Sequence, residues 1–247
     1  MIEIIKIAFE SFFYKPLFNG LIFIYYYIPG GDLGITIILF TLIIKTILYP
    51  LGAKAIKSQK SLNKLSPKIK EIQEKYKNDK EKQTKEIMEF YKKEKINPFS
   101  GCLPLLIQLP ILLALFRIFK DGFGMEQMNL LYAVTPHPEE IFTVFLKLVD
   151  LANPNLFFAI LAGVSLFFQM KISIPKIKNK NKGDLKSDIQ VVMQKQMQYF
   201  LPFFIVIILL QLPSALGLYW IVSTLFAIGQ HYIINKNDVL SSLERQN

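Results

Sequence analysis

The chain has one cysteine, two histidines and one tryptophan in 247 residues. Cys102 alone cannot close an internal disulfide, and no Cys/His spacing suits a metal. There is no Gly-x-Ser-x-Gly elbow and no Gly-Lys-Ser/Thr phosphate loop, and Gly122-x-Gly124 is too short to cradle a phosphate. The residues suggest no nucleophilic, acid–base or metal catalysis and no cofactor, so the chain does not read as an enzyme. A secretory signal is missing too. Glu3, Lys6 and Glu10 interrupt the first apolar residues and no small-residue cleavage site follows, so the N-terminus is expected to be retained. Cys102 lies too far along the chain to be an acylated lipoprotein cysteine.

What the chain has is hydrophobic length. Apolar residues make up 52%, mean hydropathy is +0.33 and 19% of residues are charged. They come in long blocks separated by lysine-rich blocks. Crossing a hydrocarbon core of ~30 Å takes roughly 20 largely apolar residues in a helix. Several blocks reach that length, and none shows the alternating strands of a barrel. The sequence predicts an all-α membrane protein.

The net charge of +10 sits in two places. Residues 52–97 hold fourteen Lys against seven Asp/Glu, and residues 171–195 hold seven Lys against two Asp. The remainder is slightly acidic. Positive-inside topology and anionic lipid explain much of this basicity, and docking to a ribosome or nascent chain is the alternative use.

Residues 1–32 read as interfacial. Ile2, Ile5, Phe9 and Phe12 share a helical face opposite Glu3, Lys6 and Glu10. Residues 17–28 form a second apolar piece ending in Tyr25, Tyr26 and Tyr27. It is taken as interfacial, with a full span as the alternative. Five spans follow: residues 33–51, 103–119, 155–172, 197–212 and 214–234. Between the first two, residues 52–97 are expected to form an antiparallel helical hairpin. Leu62, Leu65, Ile69, Ile72 and Tyr76 line its longer arm, Asn78-Asp79 make the turn, and Thr84, Ile87, Met88 and Tyr91 line its return. Residues 120–154 form an acidic loop with one short helix expected near 139–149, residues 173–195 a basic loop, and residues 235–247 a short tail. The positive-inside rule puts both lysine-rich loops in the cytoplasm, giving an N-out, C-in chain in the cell membrane. His137 and His231 then lie on opposite sides.

Lys45 is the most informative residue. It sits inside the first span among Phe40, Leu42, Ile43, Ile44, Ile47 and Leu48, where a charge is costly unless it faces protein or water. Thr41 shares its face. Snorkelling toward the headgroups is the competing explanation, because the end of the span lies about 9 Å along the helix. Polar residues in the other spans argue against it: Gln108, Ser165 and Gln169, and the stripe Tyr219, Trp220, Ser223 and Gln230. Each alone reads as a helix–helix contact or as packing; together they could line a wet cavity facing Lys45.

Several strings resemble the YidC/Oxa/Alb insertase family. Gly34-Ile35-Thr36-Ile37-Ile38 through Lys45-Thr46-Ile47-Leu48-Tyr49-Pro50-Leu51 is similar to the family's first core span, with Lys45 where its groove cation sits. Ser66-Pro67-Lys68-Ile69 opens the hairpin in the family manner. Asn97-Pro98-Phe99-Ser100-Gly101-Cys102-Leu103-Pro104-Leu105-Leu106-Ile107-Gln108-Leu109-Pro110 is the most specific match. Leu212-Pro213-Ser214-Ala215-Leu216-Gly217-Leu218-Tyr219-Trp220 is similar to the family's last hairpin.

The resemblance covers roughly residues 10–235. It implies a five-helix bundle around a hydrophilic groove that receives the polar tail of a client membrane protein, alone or beside the Sec translocon. Spans three and five would offer a sliding surface for the client's helix. Thr41, Lys45, Gln108, Gln169, Tyr219, Trp220 and Ser223 are the groove candidates. Nascent clients, lipid, and through the basic loops the ribosome, are the implied partners.

Three departures matter. Lysine stands where many members carry arginine, which removes a bidentate fork. No large outer domain is recognisable. The residues after Ile234 resemble no long basic tail. A small anion transporter is the rival class, but it should show internal repeats, which are not evident, and the outer loop is acidic. A purely structural assembly factor is the third, and it would leave the groove residues dispensable.

Overall fold

The computed structural model describes residues 2–28, 30–94, 97, 103–173 and 198–244, without the side chains of 2, 103–106 and 237–244. Most of the basic 173–195 loop and of the Asn97–Cys102 string lies outside these residues. The chain divides into two units, residues 1–47 with 108–229 and residues 48–107 with 230–247.

In the first unit, α1 (Ile2–Phe9) passes through a π-helical turn (Glu10–Tyr14) into α2 (Lys15–Tyr27). Pro16 explains the turn. Its ring would crowd the carbonyl four residues back, and the wider turn, closed by the Lys15 N–H on the Glu10 carbonyl, makes room. Glu3–Tyr27 is thus one helical run of 25 residues, where the sequence suggested two pieces. Among the described residues, the side-chain hydrogen bonds that leave this run reach the segment from residue 117 to 142. Arg117 pairs with Glu10 at 2.8 Å, Asn19 holds Leu130, Tyr132 and Thr135, and the Tyr25 hydroxyl accepts the Phe142 N–H.

Asp32 opens α3 (Leu33–Ile47). One of its carboxylate oxygens accepts the Ile35 N–H at 3.0 Å, capping the helix, and the other accepts the Leu146 N–H at 2.7 Å. The helix ends at Ile47, four residues before the predicted end of the span. Pro50, inside the predicted span, sits instead in the first turn of the next helix, where its missing N–H costs nothing.

The remaining helices of this unit are α6 (Leu103–Asp121, from Gln108 onward), α7 (Met125–Met128), α8 (Leu156–Ser173), α9 (Gln198–Leu209) and α10 (Ser214–Glu244, as far as Gly229). In place of the short helix expected near residues 139–149, Val144–Phe145 (β1) pairs antiparallel with Val149–Asp150 (β2). Leu146 and Lys147 turn the ladder with φ of 49° and 60°, a left-handed geometry that residues other than glycine adopt uncommonly. The Asp32 carboxylate on the Leu146 N–H helps hold it.

The α8 helix is built inside out. Its buried residues include Ala159, Ala162, Gly163 and Ser165, while Leu156, Phe157, Ile160, Val164, Phe168 and Ile172 are exposed. Water would not tolerate that outward face, but hydrocarbon suits it, and small residues let neighbouring helices approach. A Cβ on Gly163 would lie 2.3 Å from Val206 Cγ2 of α9. Among the described residues, three helical runs are long and apolar enough to cross a membrane: Glu3–Tyr27, Leu156–Ser173 and Ser214–Lys236. A fourth arises if Leu33–Ile47 and Tyr49–Lys75 make one broken span.

The second unit contains α4 (Tyr49–Lys75) and α5 (Lys80–Lys93). Asp79 caps α5 through the Lys82 N–H, and the Gln83 amide donates to the Gln73 carbonyl across the turn. Most of the pair's side chains are exposed or half-buried, with Ala55 and Ile56 the buried ones near its base. There Gln230 donates to the Tyr49 carbonyl at 2.8 Å and packs against Gly52, where a Cβ would come within 2.9 Å of its amide.

Candidate functional site

Lys45 lies on α3 among Ile and Leu side chains, half-buried. Desolvating an ammonium without an acceptor costs several kcal/mol, roughly, so the helix must either turn it to water or give it a partner. The partner is Gln108 of α6: Lys45 Nζ donates to Gln108 Oε1 at 2.9 Å. The same amide then donates through Nε2 to the hydroxyl of Tyr219 on α10, a side chain only 2% exposed. Ser223, one turn further along α10, bonds to the same phenol. Three helices far apart in sequence are therefore joined by one directional chain of hydrogen bonds.

The acceptor on Lys45 is a neutral amide. No carboxylate among the described residues stands close enough to compensate its charge. A cation kept without a counter-ion in an apolar bundle projects a strong field, because its surroundings screen poorly.

Not every predicted residue joins this chain. Thr41 is fully buried and its hydroxyl donates to the Ile37 carbonyl at 2.6 Å, so it is satisfied within its own helix. Gln169 is half-buried on α8, and Trp220 is half-buried beside Tyr219, with its backbone carbonyl 3.0 Å from the Thr224 hydroxyl. Gln230 belongs to the second unit and bonds there. Thr224 was not singled out in the sequence, yet its hydroxyl lies 2.8 Å from that of Ser165, joining α10 to α8. Its spacing of four from Trp220 was the only signal available.

A cavity of about 310 Å³ lies elsewhere in this unit, lined by residues including Leu33, Phe119, Ile141, Leu151 and Ala215 with Glu139 and Glu140. Leu33 is twelve residues from Lys45, or about 18 Å along α3, so the two sites are separate.

The family described as 60Kd inner membrane protein matches residues 23–241. A membrane protein insertase YidC of Wolinella succinogenes is 33% identical over 95% of this chain, which spans 39% of that relative. The protein of the same name from Fusobacterium nucleatum is 36% identical, with 83% of this chain and 87% of the relative aligned. That of Campylobacter jejuni is 33% identical over 94% of this chain and 39% of its own length. The chain thus spans about two-fifths of two of these relatives and most of the third.

Proposed function

The chain belongs to the 60Kd inner membrane protein family, and from that premise we propose that it inserts client proteins into the cell membrane and assists their folding there. The observation that carries the reading is the uncompensated Lys45, held between α3, α6 and α10 by Gln108 and Tyr219.

The mechanism is electrostatic. Moving a polar tail through hydrocarbon costs the solvation of each charged or polar group. A groove containing a fixed cation and several hydroxyls and amides replaces part of that solvation, most of all for carboxylates. The client's apolar helix then leaves sideways, along lipid-facing surfaces such as those of α8 and α10. No covalent chemistry is needed.

The topology that fits is five spans, on α3, α6, α8, α9 and α10, with the N-terminus outside and the C-terminal end inside. Glu3–Tyr27 would then lie along the outer interface despite being long enough to span. Its support is lateral. Over about 22 Å of helix, Glu10, Asn19 and Tyr25 successively contact the end of α6 and the loop that follows it. A helix crossing the bilayer would leave that loop after one or two turns. The lysine-rich α4–α5 pair faces the cytoplasm in this arrangement, where nascent chains, the ribosome and the Sec translocon are the fitting partners.

The test is insertion of a single-span client with a short acidic outer tail, in cells depleted of their own insertase. The native chain and Lys45→Arg should restore insertion, and Lys45→Ala and Lys45→Glu, at matched expression, should not. Restoration by all four would make Lys45 a snorkelling lysine. Failure of a well-expressed native chain across several clients would remove the insertase reading.

A further inference from the structure

The chemistry of the Lys45–Gln108–Tyr219 chain fixes its direction. An ammonium can only donate, so the atom of Gln108 facing Lys45 is the amide oxygen, at 2.9 Å. The amide nitrogen is thereby turned to Tyr219, whose phenol is also bonded to Ser223. From Lys45 to Tyr219 each donor points away from Lys45, and none of these groups neutralises it.

Three kinds of residue could stand at position 108, with different consequences. A carboxylate would form a buried ion pair and cancel the field that attracts a client. An apolar residue would leave the ammonium without an acceptor. An amide does neither, since it satisfies the donor, leaves the charge, and binds a cation less strongly than a carboxylate does.

We propose that Gln108 is a neutral place-holder for the client: its oxygen occupies Lys45 while the groove is empty and gives way to a carboxylate of the entering segment. This rests on the reading of Lys45 as the client-attracting cation. The bond from Gln108 to the buried Tyr219 supplies the other half of the device, because it anchors the amide when Lys45 leaves it. Gln108 is in this sense a positioning residue that sets specificity for acidic tails.

The experiment uses the purified full chain in liposomes with two single-span clients that differ only in an Asp-bearing or an Asn-bearing outer tail. Gln108→Glu installs a permanent carboxylate and should lower insertion of the Asp-tailed client about tenfold, the difference between a charged and a neutral partner. The Asn-tailed client should lose far less, so that the ratio of Asp-tailed to Asn-tailed insertion falls, since a neutral tail draws little on the cation. Gln108→Met, similar in shape but without an acceptor or a charge, should not lower the ratio of Asp-tailed to Asn-tailed insertion, whatever it does to the overall yield, because the Asp-tailed client brings its own carboxylate.

Equal losses for both clients in Gln108→Glu, or a fall of the Asp-to-Asn ratio in Gln108→Met as deep as in Gln108→Glu, would mean only structural damage and overturn the proposal. Lys45→Ala separates the two levels. If it is defective while Gln108→Glu is normal, the place-holder fails and the cationic groove stands. If Lys45→Ala inserts the Asp-tailed client normally, both fall.

Discussion

Arg117 of α6 and Glu10 of the N-terminal helical run are paired at 2.8 Å, 107 positions apart in sequence. The guanidinium also bonds Asp121 at 3.2 Å and lies 4.7 Å from the centre of the Tyr14 ring. It thus faces two acids and an aromatic at once, and it clamps the start of the chain to the end of α6.

The energetic worth of that clamp should be small. Both side chains remain about a third exposed, at 38% and 31%, so the pair is screened. A double-mutant cycle of Glu10→Gln and Arg117→Met, read by thermal unfolding in detergent, should give a coupling of about 0–1 kcal/mol. A coupling several times larger would mean that the pair is shielded from water.

Asn19 matters more. Its carboxamide is 4% exposed and uses both ends: Oδ1 accepts the Tyr132 N–H at 2.7 Å and the Thr135 hydroxyl at 2.8 Å, while Nδ2 donates to the carbonyls of Lys15 and Leu130. Asn19→Leu keeps the volume but orphans a backbone N–H and a carbonyl. It should cost about 1–3 kcal/mol and open residues 129–136 to protease before the rest of the fold. Unchanged proteolysis would show that water replaces the lost bonds.

Asp150 makes the loop acid-sensitive. The Thr143 hydroxyl at 2.6 Å, then the Ala152 N–H, and further the Asn153 amide hold its carboxyl below the ordinary 3.8, against the opposing effect of burial. A depressed carboxyl stabilises the fold at every pH above its ordinary value, and that contribution disappears as pH falls through the folded one. Protease sensitivity around the β1–β2 ladder should therefore stay flat down to about pH 4 and rise below it. Asp150→Asn should raise sensitivity at neutral pH and remove the acid step, because its nitrogen cannot accept from Asn153. A native-like profile in Asp150→Asn would assign the step to another group.

The sequence exposed some of these relationships and concealed others, for physical reasons. Lys45, Gln108, Tyr219 and Ser223 stand out because a polar side chain is conspicuous in an apolar run, and they meet in space because each needs a partner. Thr41 and Thr224 are different. A threonine in a helix can satisfy itself on its own backbone, so its presence says little about a tertiary contact. Thr41 does only that here, whereas Thr224 also reaches Ser165. The β1–β2 ladder was illegible because its turn is made by Leu146 and Lys147, with none of the Asn-Gly or Asp-Gly chemistry that announces a hairpin. The N-terminal run shows the limit of length as a criterion. Its hydropathy allows a span, and only its sideways contacts with residues 117–142 favour the interface.

The approach of α8 to α9 supplies a test of how the lipid-facing part of the bundle is packed. A Cβ on Gly163 would come 2.3 Å from Val206 Cγ2 and 3.2 Å from the Pro202 carbonyl oxygen. The first contact is severe but belongs to a side chain, and the second is tight and belongs to backbone. Gly163→Ala should therefore destabilise the protein in detergent by about 1–3 kcal/mol, the usual range for forcing an extra carbon into a filled interface. Removing the obstructing methyls with Val206→Ala in the same chain should recover most of that loss, although Val206→Ala alone should be mildly destabilising through the space it leaves. Recovery would locate the strain between the two side chains and show that α8 and α9 pack through a small-residue contact, as helices in lipid do when no hydrophobic force draws them together. If the double variant is no better than Gly163→Ala alone, the Pro202 backbone is the obstacle, and the two helices can accommodate a larger residue only by moving apart.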